Sequence, residues 1–173
     1  MKIHPAALVV VAVVLFAAGM VIGLYNAPKE LKEFLPIPLA EDENIDNSGF
    51  IPANVSITGT SIIIRNNCNG IGFDVTSDQA YSISNALQNS QTVRPLTHDM
   101  LKDVMENFNI SVLAVRIEKW ENDIYYARMF VQQGPKILDL DIRPSDAIAM
   151  SLRTGKQLLI NQSMLFERGE IVC

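Results

Sequence analysis

The sequence predicts an α+β domain: a mixed sheet with an antiparallel three-strand meander flanked by helices, preceded by a single N-terminal transmembrane helix. Three observations carry this expectation. From Val112 to Glu118, and again from Leu138 to Ile142, successive residues alternate between two faces, and between these runs the extended stretch Ile124–Gln132 is bounded by turns at Glu121-Asn122-Asp123 and Gln133-Gly134-Pro135-Lys136. That alternation is the period of strands with one face buried. On either side, apolar residues recur at helical spacing, Met100, Leu101, Val104, Met105 and Phe108 before it and Ile148 and Leu152 after it. Finally, Ala6 to Leu24 is an unbroken run of apolar residues and glycine.

As a helix that run would span roughly 28 Å, close to the ~30 Å hydrocarbon core of a bilayer. Residues 1–25 are therefore read as a retained membrane anchor. A cleaved leader is the rival reading, because Ala17-Ala18-Gly19 offers small residues at a cut. Cutting there would leave Met20 to Leu24 as an apolar new terminus, which favours the anchor. Lys2 lies before the run and Lys29 and Lys32 after it, too few charges to orient it. Residues 26–49 read as a tether with Pro28, Pro36, Pro38 and the acidic stretch Glu41–Asp46, leaving 50–173 as the folded domain.

In that domain, Val55 to Ile64 is rich in β-branched residues and fits one or two strands around Thr58-Gly59. Asn66 to Gly70 is a turn cluster whose Asn-Gly end suits a tight hairpin, and Ile71 to Val75 would return. Thr76 and Gln79 have the spacing of a capping box before a helix carrying Ala80, Ile83 and Leu87 on one face. Thr97 is placed to cap the next helix. In the meander, Leu113, Val115 and Ile117 should share one face and Val112, Ala114, Arg116 and Glu118 the other. In the last strand Leu138, Leu140 and Ile142 should oppose Asp139 and Asp141. Pro144 suits the first position of a helix that Gly155 would end. Leu158 to Ile160 reads as a short strand and Ser163 to Phe166 as a helical turn.

The formal net charge is −5, and most of it sits in the tether. A nearly neutral domain with no basic face argues against tight, non-specific grip on nucleic acid, which depends on lysine and arginine displacing counterions. The two cysteines, Cys68 and Cys173, have no zinc spacing. A bridge between them would require an oxidising space, and they are read as buried or idle thiols.

The chemistry-bearing pattern is a repeated corner. Arg94-Pro95-Leu96-Thr97-His98-Asp99 and Arg143-Pro144-Ser145-Asp146 each place an arginine, a hydroxyl and an aspartate at a helix start. Helix N-termini expose unpaired N–H groups and partial positive charge, so each corner could seat a phosphate or carboxylate. His98 is the histidine of the folded part, and at a first helical turn its neutral form is favoured, suited to proton transfer or metal binding. It could equally lock its own corner. Arg94 and Arg143 could grip a phosphodiester or merely clamp Asp99 and Asp146. Thr97 and Ser145 lack a second histidine for a Ser-His-Asp arrangement and read as caps.

These residues resemble the bifunctional nuclease domain family from about Ile62 to Leu165. Arg94-Pro-Leu-Thr-His-Asp-Met is similar to its Arg-Pro-x-Thr-His-Asp-Leu block, and Tyr125-Tyr-Ala-Arg128 to its Phe-Tyr-Ala strand. Asp141-Ile-Arg-Pro-Ser-Asp-Ala-Ile-Ala149 resembles its Asp-x-Arg-Pro-Ser-Asp-Ala-Ile-Ala block nearly residue for residue. The family's Leu-Pro-Ile-x-Ile-Gly stretch and Glu-Ala pair are replaced by Ile71 to Thr76 and Asp78-Gln79-Ala80, so a glutamate's role in that corner would be weakened or pass to Asp78. The resemblance implies an α+β fold, self-association into a homo-oligomer, and cleavage of RNA and DNA.

The site expected from both lines has His98, Asp99, Asp141 and Asp146 as catalytic candidates. Arg94, Thr97, Arg143 and Ser145 would bind substrate. Asp141 and Asp146, with Asp99 as a further candidate, would share magnesium or manganese, the ions suited to oxygen ligands. The expected function is a membrane-anchored phosphodiester hydrolase acting on nucleic acid. A non-catalytic oligomeric module that binds an anionic ligand at the membrane is the alternative.

Overall fold

The computed structural model describes residues 45–90 and 92–173. The anchor expected over 1–25 and all but the last residues of the tether lie outside them. Among the described residues no helix is long and apolar enough to cross a membrane.

The chain runs β1 (Phe50–Pro52), β2 (Asn54–Thr58), β3 (Ser61–Asn66), β4 (Asn69–Asp74), α1 (Ser77–Leu87), α2 (Thr97–Asn107), β5 (Ser111–Glu121), β6 (Ile124–Gln133) and β7 (Lys136–Ile142). It ends with α3 (Pro144–Thr154), β8 (Leu158–Asn161), α4 (Gln162–Arg168) and β9 (Glu170–Ile171). The expected meander is present as β5-β6-β7. It belongs to a five-stranded sheet ordered β1-β8-β5-β6-β7, mixed because β8 runs parallel to β5. A second, four-stranded antiparallel sheet, β2-β3-β4-β9, was not separated from the first by its sequence.

α3 is the centre of the fold. Ser145, Ala147, Ile148, Ala149, Met150 and Ser151 are all buried, because one side of the helix packs on β5, β6 and β8 and the other receives α1 and α2. A helix enclosed on nearly all sides tolerates only small or apolar residues there. Pro144 occupies its first turn, and Gly155 ends it at φ 68°, where a side chain would be strained. Isoleucines from the second sheet (Ile62, Ile64, Ile71) and from α1 (Ile83) join Val115, Ile117, Met129 and Ile160 in one core.

Several expectations are corrected. The hairpin turn falls at Asn67-Cys68 rather than Asn69-Gly70. Asn67 takes the left-handed conformation, φ 52°. Gly70 is a strand residue, and a Cβ there would meet Val172 Cγ2 at 2.8 Å. Cys68 and Cys173 form a disulfide rather than idle thiols, fastening the end of the chain beside β9 to the β3–β4 turn. α2 buries only Met105; Met100, Leu101, Val104 and Phe108 are exposed, since the helix rests on α3 and not on a sheet. Register shifts in β5 between Val112 and Ala114, and between Ile117 and Lys119, interrupt the simple alternation, so Val112 and Trp120 pack toward the core face. Leu138 is also exposed, near the start of edge strand β7.

The last residues of the segment read as a tether are tied to the domain. Arg116 donates to the Asp46 carbonyl at 2.9 Å and lies between the Phe50 and Phe130 rings, 4.5 and 4.3 Å from their centroids.

Candidate functional site

Three helices bring the two Arg-Pro corners to one cleft. α1 begins as expected, with the Thr76 N–H donating to Gln79 Oε1 at 2.9 Å. α2 begins differently: its cap residue is Leu96, whose N–H donates to the Asp99 carboxylate at 2.8 Å. Thr97 is therefore the first helical residue and exposed, not the cap. At α3 the cap position belongs to Arg143, so Ser145 is not a cap either.

The cleft is open and encloses about 520 Å³. Its polar lining includes Asp78, Gln79, Ser82, Thr97, His98, Arg143 and Asp146, and its apolar wall includes Leu96, Leu101, Met129, Ile142 and Met150. A smaller hollow of about 230 Å³, lined by Lys102, Ser111 and Lys156 among others, contains none of the expected site residues.

At the centre of the cleft is a chain of polar contacts. Arg143 meets Asp146 in a two-pronged pair, Nε to Oδ2 at 2.8 Å and Nη2 to Oδ1 at 3.0 Å. Asp146 Oδ1 also lies 3.3 Å from His98 Nε2, and His98 Nδ1 lies 3.0 Å from Ser82 Oγ. Partial burial leaves His98 and Asp146 only 18% and 23% exposed, whereas Arg143 is 68% exposed and reachable by an incoming anion. The arrangement can seat an anionic oxygen beside a guanidinium, with an imidazole and a carboxylate alongside to handle protons or charge.

The other expected residues lie elsewhere. Asp99 pairs not with Arg94 but with Arg153, whose Nε donates to Oδ1 at 2.6 Å. Partial burial pushes the Asp99 carboxyl up, but Arg153 and the Leu96 N–H outweigh it and hold its pKa below the ordinary carboxylate value. Arg94 is exposed and does not line the cleft. Ser145 is buried, 4% exposed, away from the cleft lining. Asp141 stands opposite Arg128 on β6. Arg128 faces away from the core-lining Ala127 and Met129, and Ile142, next to Asp141, turns into the cleft. Asp141 thus stands on the Arg128 side of the sheet, whereas Asp146 lines the cleft from α3. Among the described residues no three His, Cys, Asp or Glu side chains gather as a metal-binding group.

Sequence reasoning missed Ser82 and Arg153. Ser82 interrupts the apolar positions of α1, one residue before Ile83, and is buried with it. A polar residue at a core position is the signal that could have found it. Arg153 lies seven residues after Asp146, two helical turns along α3, and its side chain is 5% exposed. It donates to Asp99 and to the carbonyls of Ala149 and Ser82, joining three helices. An arginine in the last turn of a helix is favoured by the helix dipole alone, so its position in the sequence carries no distinguishing signal.

Comparison with known proteins bears on this geometry. The bifunctional nuclease domain profile matches residues 66–172, which covers more than half of the chain, both Arg-Pro corners and every polar residue of the cleft. A Mycobacterium tuberculosis protein named as uncharacterized is 28% identical over 98 residues, 57% of this chain and 58% of that protein. Bifunctional nuclease 1 of Oryza sativa subsp. japonica is 29% identical over 87 residues, 49% of this chain and 26% of the relative. Bifunctional nuclease 1 of Arabidopsis thaliana is 26% identical over 87 residues, with 49% and 27% covered. The matches span less than two thirds of each of these relatives. On the profile match, the chain belongs to the bifunctional nuclease domain family.

Proposed function

We propose that this protein hydrolyses phosphodiester bonds of RNA or DNA in the cleft between α1, α2 and α3. The observation that carries the reading is the convergence of Arg143 and His98 on Asp146, each within hydrogen-bonding distance of it, on an open cleft. The relatives named as nucleases support the same reaction class. In this reading Arg143 grips the phosphate, its planar fork matching two anionic oxygens. Asp146 orients both Arg143 and His98, and His98 stabilises charge or handles protons at the phosphate. Thr97, exposed at the rim, offers a hydroxyl to the phosphate. The apolar wall would take a sugar or base.

Magnesium or manganese enters the proposal as a variable of the assay. The cleft carboxylates are Asp78 and Asp146, and Asp146 is already engaged by Arg143 and His98. No step is assigned to a metal. Attachment to a membrane through residues 6–24 and assembly into a homo-oligomer complete the proposal, the first from the apolar run and the second from family resemblance.

One observation favours the alternative of a non-catalytic module for an anionic ligand: two nitrogens of Arg143 are held by Asp146, as in a purely structural clamp. The full-length chain, assayed on single-stranded RNA and DNA with magnesium, with manganese and with chelator, separates the two. Cleavage lost in Asp146→Asn supports hydrolysis at this cleft. Oligonucleotide or phosphate that raises the melting temperature without being cleaved supports the binding module.

A further inference from the structure

His98 has a different partner at each ring nitrogen. Nε2 lies 3.3 Å from Asp146 Oδ1, and Nδ1 lies 3.0 Å from the Ser82 hydroxyl. The two partners are not equivalent. An ionised aspartate only accepts hydrogen bonds, whereas a serine hydroxyl both donates and accepts. Both oxygens of Asp146 moreover already accept hydrogen bonds from the Arg143 guanidinium. In a neutral imidazole the hydrogen must then sit on Nε2. The opposite tautomer would aim a nitrogen lone pair at a carboxylate oxygen. Nδ1 is left as an acceptor, and Ser82 supplies the hydrogen.

Ser82 is built for this contact. It sits in the middle of α1 and is only 6% exposed, between the buried Ala80 and Ile83 and the partly buried Asn85. Its own carbonyl accepts a hydrogen bond from Arg153 at 3.2 Å, which fixes α1 against α3 at this residue. A hydroxyl so enclosed is poorly placed to attack a substrate, but well placed to hold a ring.

We propose that Ser82 is a positioning residue for the chemistry of this cleft. By donating to Nδ1 it holds His98 in the tautomer that presents an N–H, and not a lone pair, toward Asp146 and the substrate. His98 then acts as a hydrogen-bond donor through Nε2 that stabilises negative charge on a phosphoryl oxygen, which competes with Asp146 Oδ1 for the same hydrogen. This deepens the phosphodiesterase reading and rests on it for the identity of the anion.

The test has one readout that needs no catalysis. The full chain carrying His4→Gln, labelled with ¹⁵N at histidine, leaves His98 as its sole imidazole. With the ring neutral, its nitrogen shifts report which nitrogen bears the hydrogen and whether Nδ1 accepts a hydrogen bond. The expected result is hydrogen on Nε2 in the otherwise unaltered chain, and an Nδ1 signal that moves toward the free value in Ser82→Ala. Turnover in Ser82→Ala should fall by roughly 10- to 100-fold with KM little changed, as befits a misplaced catalytic group. Ser82→Thr, which keeps the hydroxyl, should restore both the signal and the turnover. Hydrogen on Nδ1 in the unaltered chain overturns the proposal, and so does a Ser82→Ala protein with unchanged Nδ1 signal and turnover. The unaltered chain and Ser82→Thr give an answer even if the alanine variant fails to fold. If no form cleaves nucleic acid while the Nε2–H tautomer and the Ser82 bond are observed, the nuclease reading fails and the positioning of the ring stands.

Discussion

His98 Nε2 lies 3.3 Å from Asp146 Oδ1, a contact between the first turns of α2 and α3 made by residues 48 positions apart. It joins the two Arg-Pro corners directly, and its two sides differ in kind. The α3 corner keeps its own arginine and aspartate paired, while the α2 corner gives its aspartate to Arg153. The aspartates of corners alike in sequence therefore have different duties: Asp146 lines the cleft, while Asp99 braces the helices around it.

Asp146→Asn tests the cleft as a reaction centre. The substitution preserves shape and removes the charge that holds both Arg143 and His98. Cleavage of single-stranded RNA or DNA should fall by roughly 100-fold or more, the scale on which preorganised electrostatic groups act. Retained turnover would remove Asp146 from the chemistry.

Arg143→Lys separates gripping a phosphate from holding the fold. Arg143 is 68% exposed, and an ion pair so open to solvent contributes at most about 1 kcal/mol to stability. A lysine keeps the charge and loses the planar fork, so KM for an oligonucleotide should rise about tenfold while the unfolding midpoint barely moves. An unchanged KM would leave Arg143 as a clamp for Asp146 alone.

How far the sequence could be read depended on how local each feature is. The meander and the ends of α3 rest on neighbouring residues: alternation in β7, the Asn122-Asp123 turn with both φ positive, Pro144, Gly155. Those were legible. The burial of α2 was not, because an amphipathic pattern shows that an apolar face exists without showing how much of it is covered. The bulges of β5 shift register without any glycine or proline to mark them. Within the site, His98, Arg143 and Asp146 were found through their shared corner motif. Ser82 and Arg153 escaped because each acts through a tertiary contact with another helix.

The Cys68–Cys173 disulfide predicts where the domain works as well as how stable it is. It closes a loop across a sequence separation of 105, which by chain entropy alone corresponds to about 4–5 kcal/mol, with measured losses for native bridges of about 2–5 kcal/mol. Cys68→Ser with Cys173→Ser should lower stability by an amount in that lower range, read from urea unfolding. Reductant should do the same to the unaltered chain and leave the double variant unaffected. Because such bridges persist in oxidising spaces, thiol labelling of protein taken directly from cells should find both cysteines blocked. Free thiols would place the domain in a reducing compartment.

Asp99 and Arg153 predict a stability difference that depends on pH. Arg153 is 5% exposed and binds Asp99 together with two main-chain carbonyls, so Arg153→Met removes the Asp99 pair and a second donor from each carbonyl. At neutral pH the expected cost is about 2–3 kcal/mol, typical of buried hydrogen bonds to a charged group. The Asp99 share of this cost titrates. Its folded pKa is held below the ordinary value, so unfolding brings proton uptake as pH falls toward the unfolded carboxylate pKa of about 3.9. The contribution is complete above that pH and disappears as pH drops through the folded pKa. Asp99→Asn should thus be less stable than the unaltered chain at pH 7, and the two should converge in acid. Thr97→Ala, one residue from the true cap of α2, should track the unaltered chain at every pH. Denaturant unfolding of the three proteins across an acid series measures this directly, and a gap between Asp99→Asn and the unaltered chain that persists at the lowest pH would show that the Asp99 charge is not what braces the three helices.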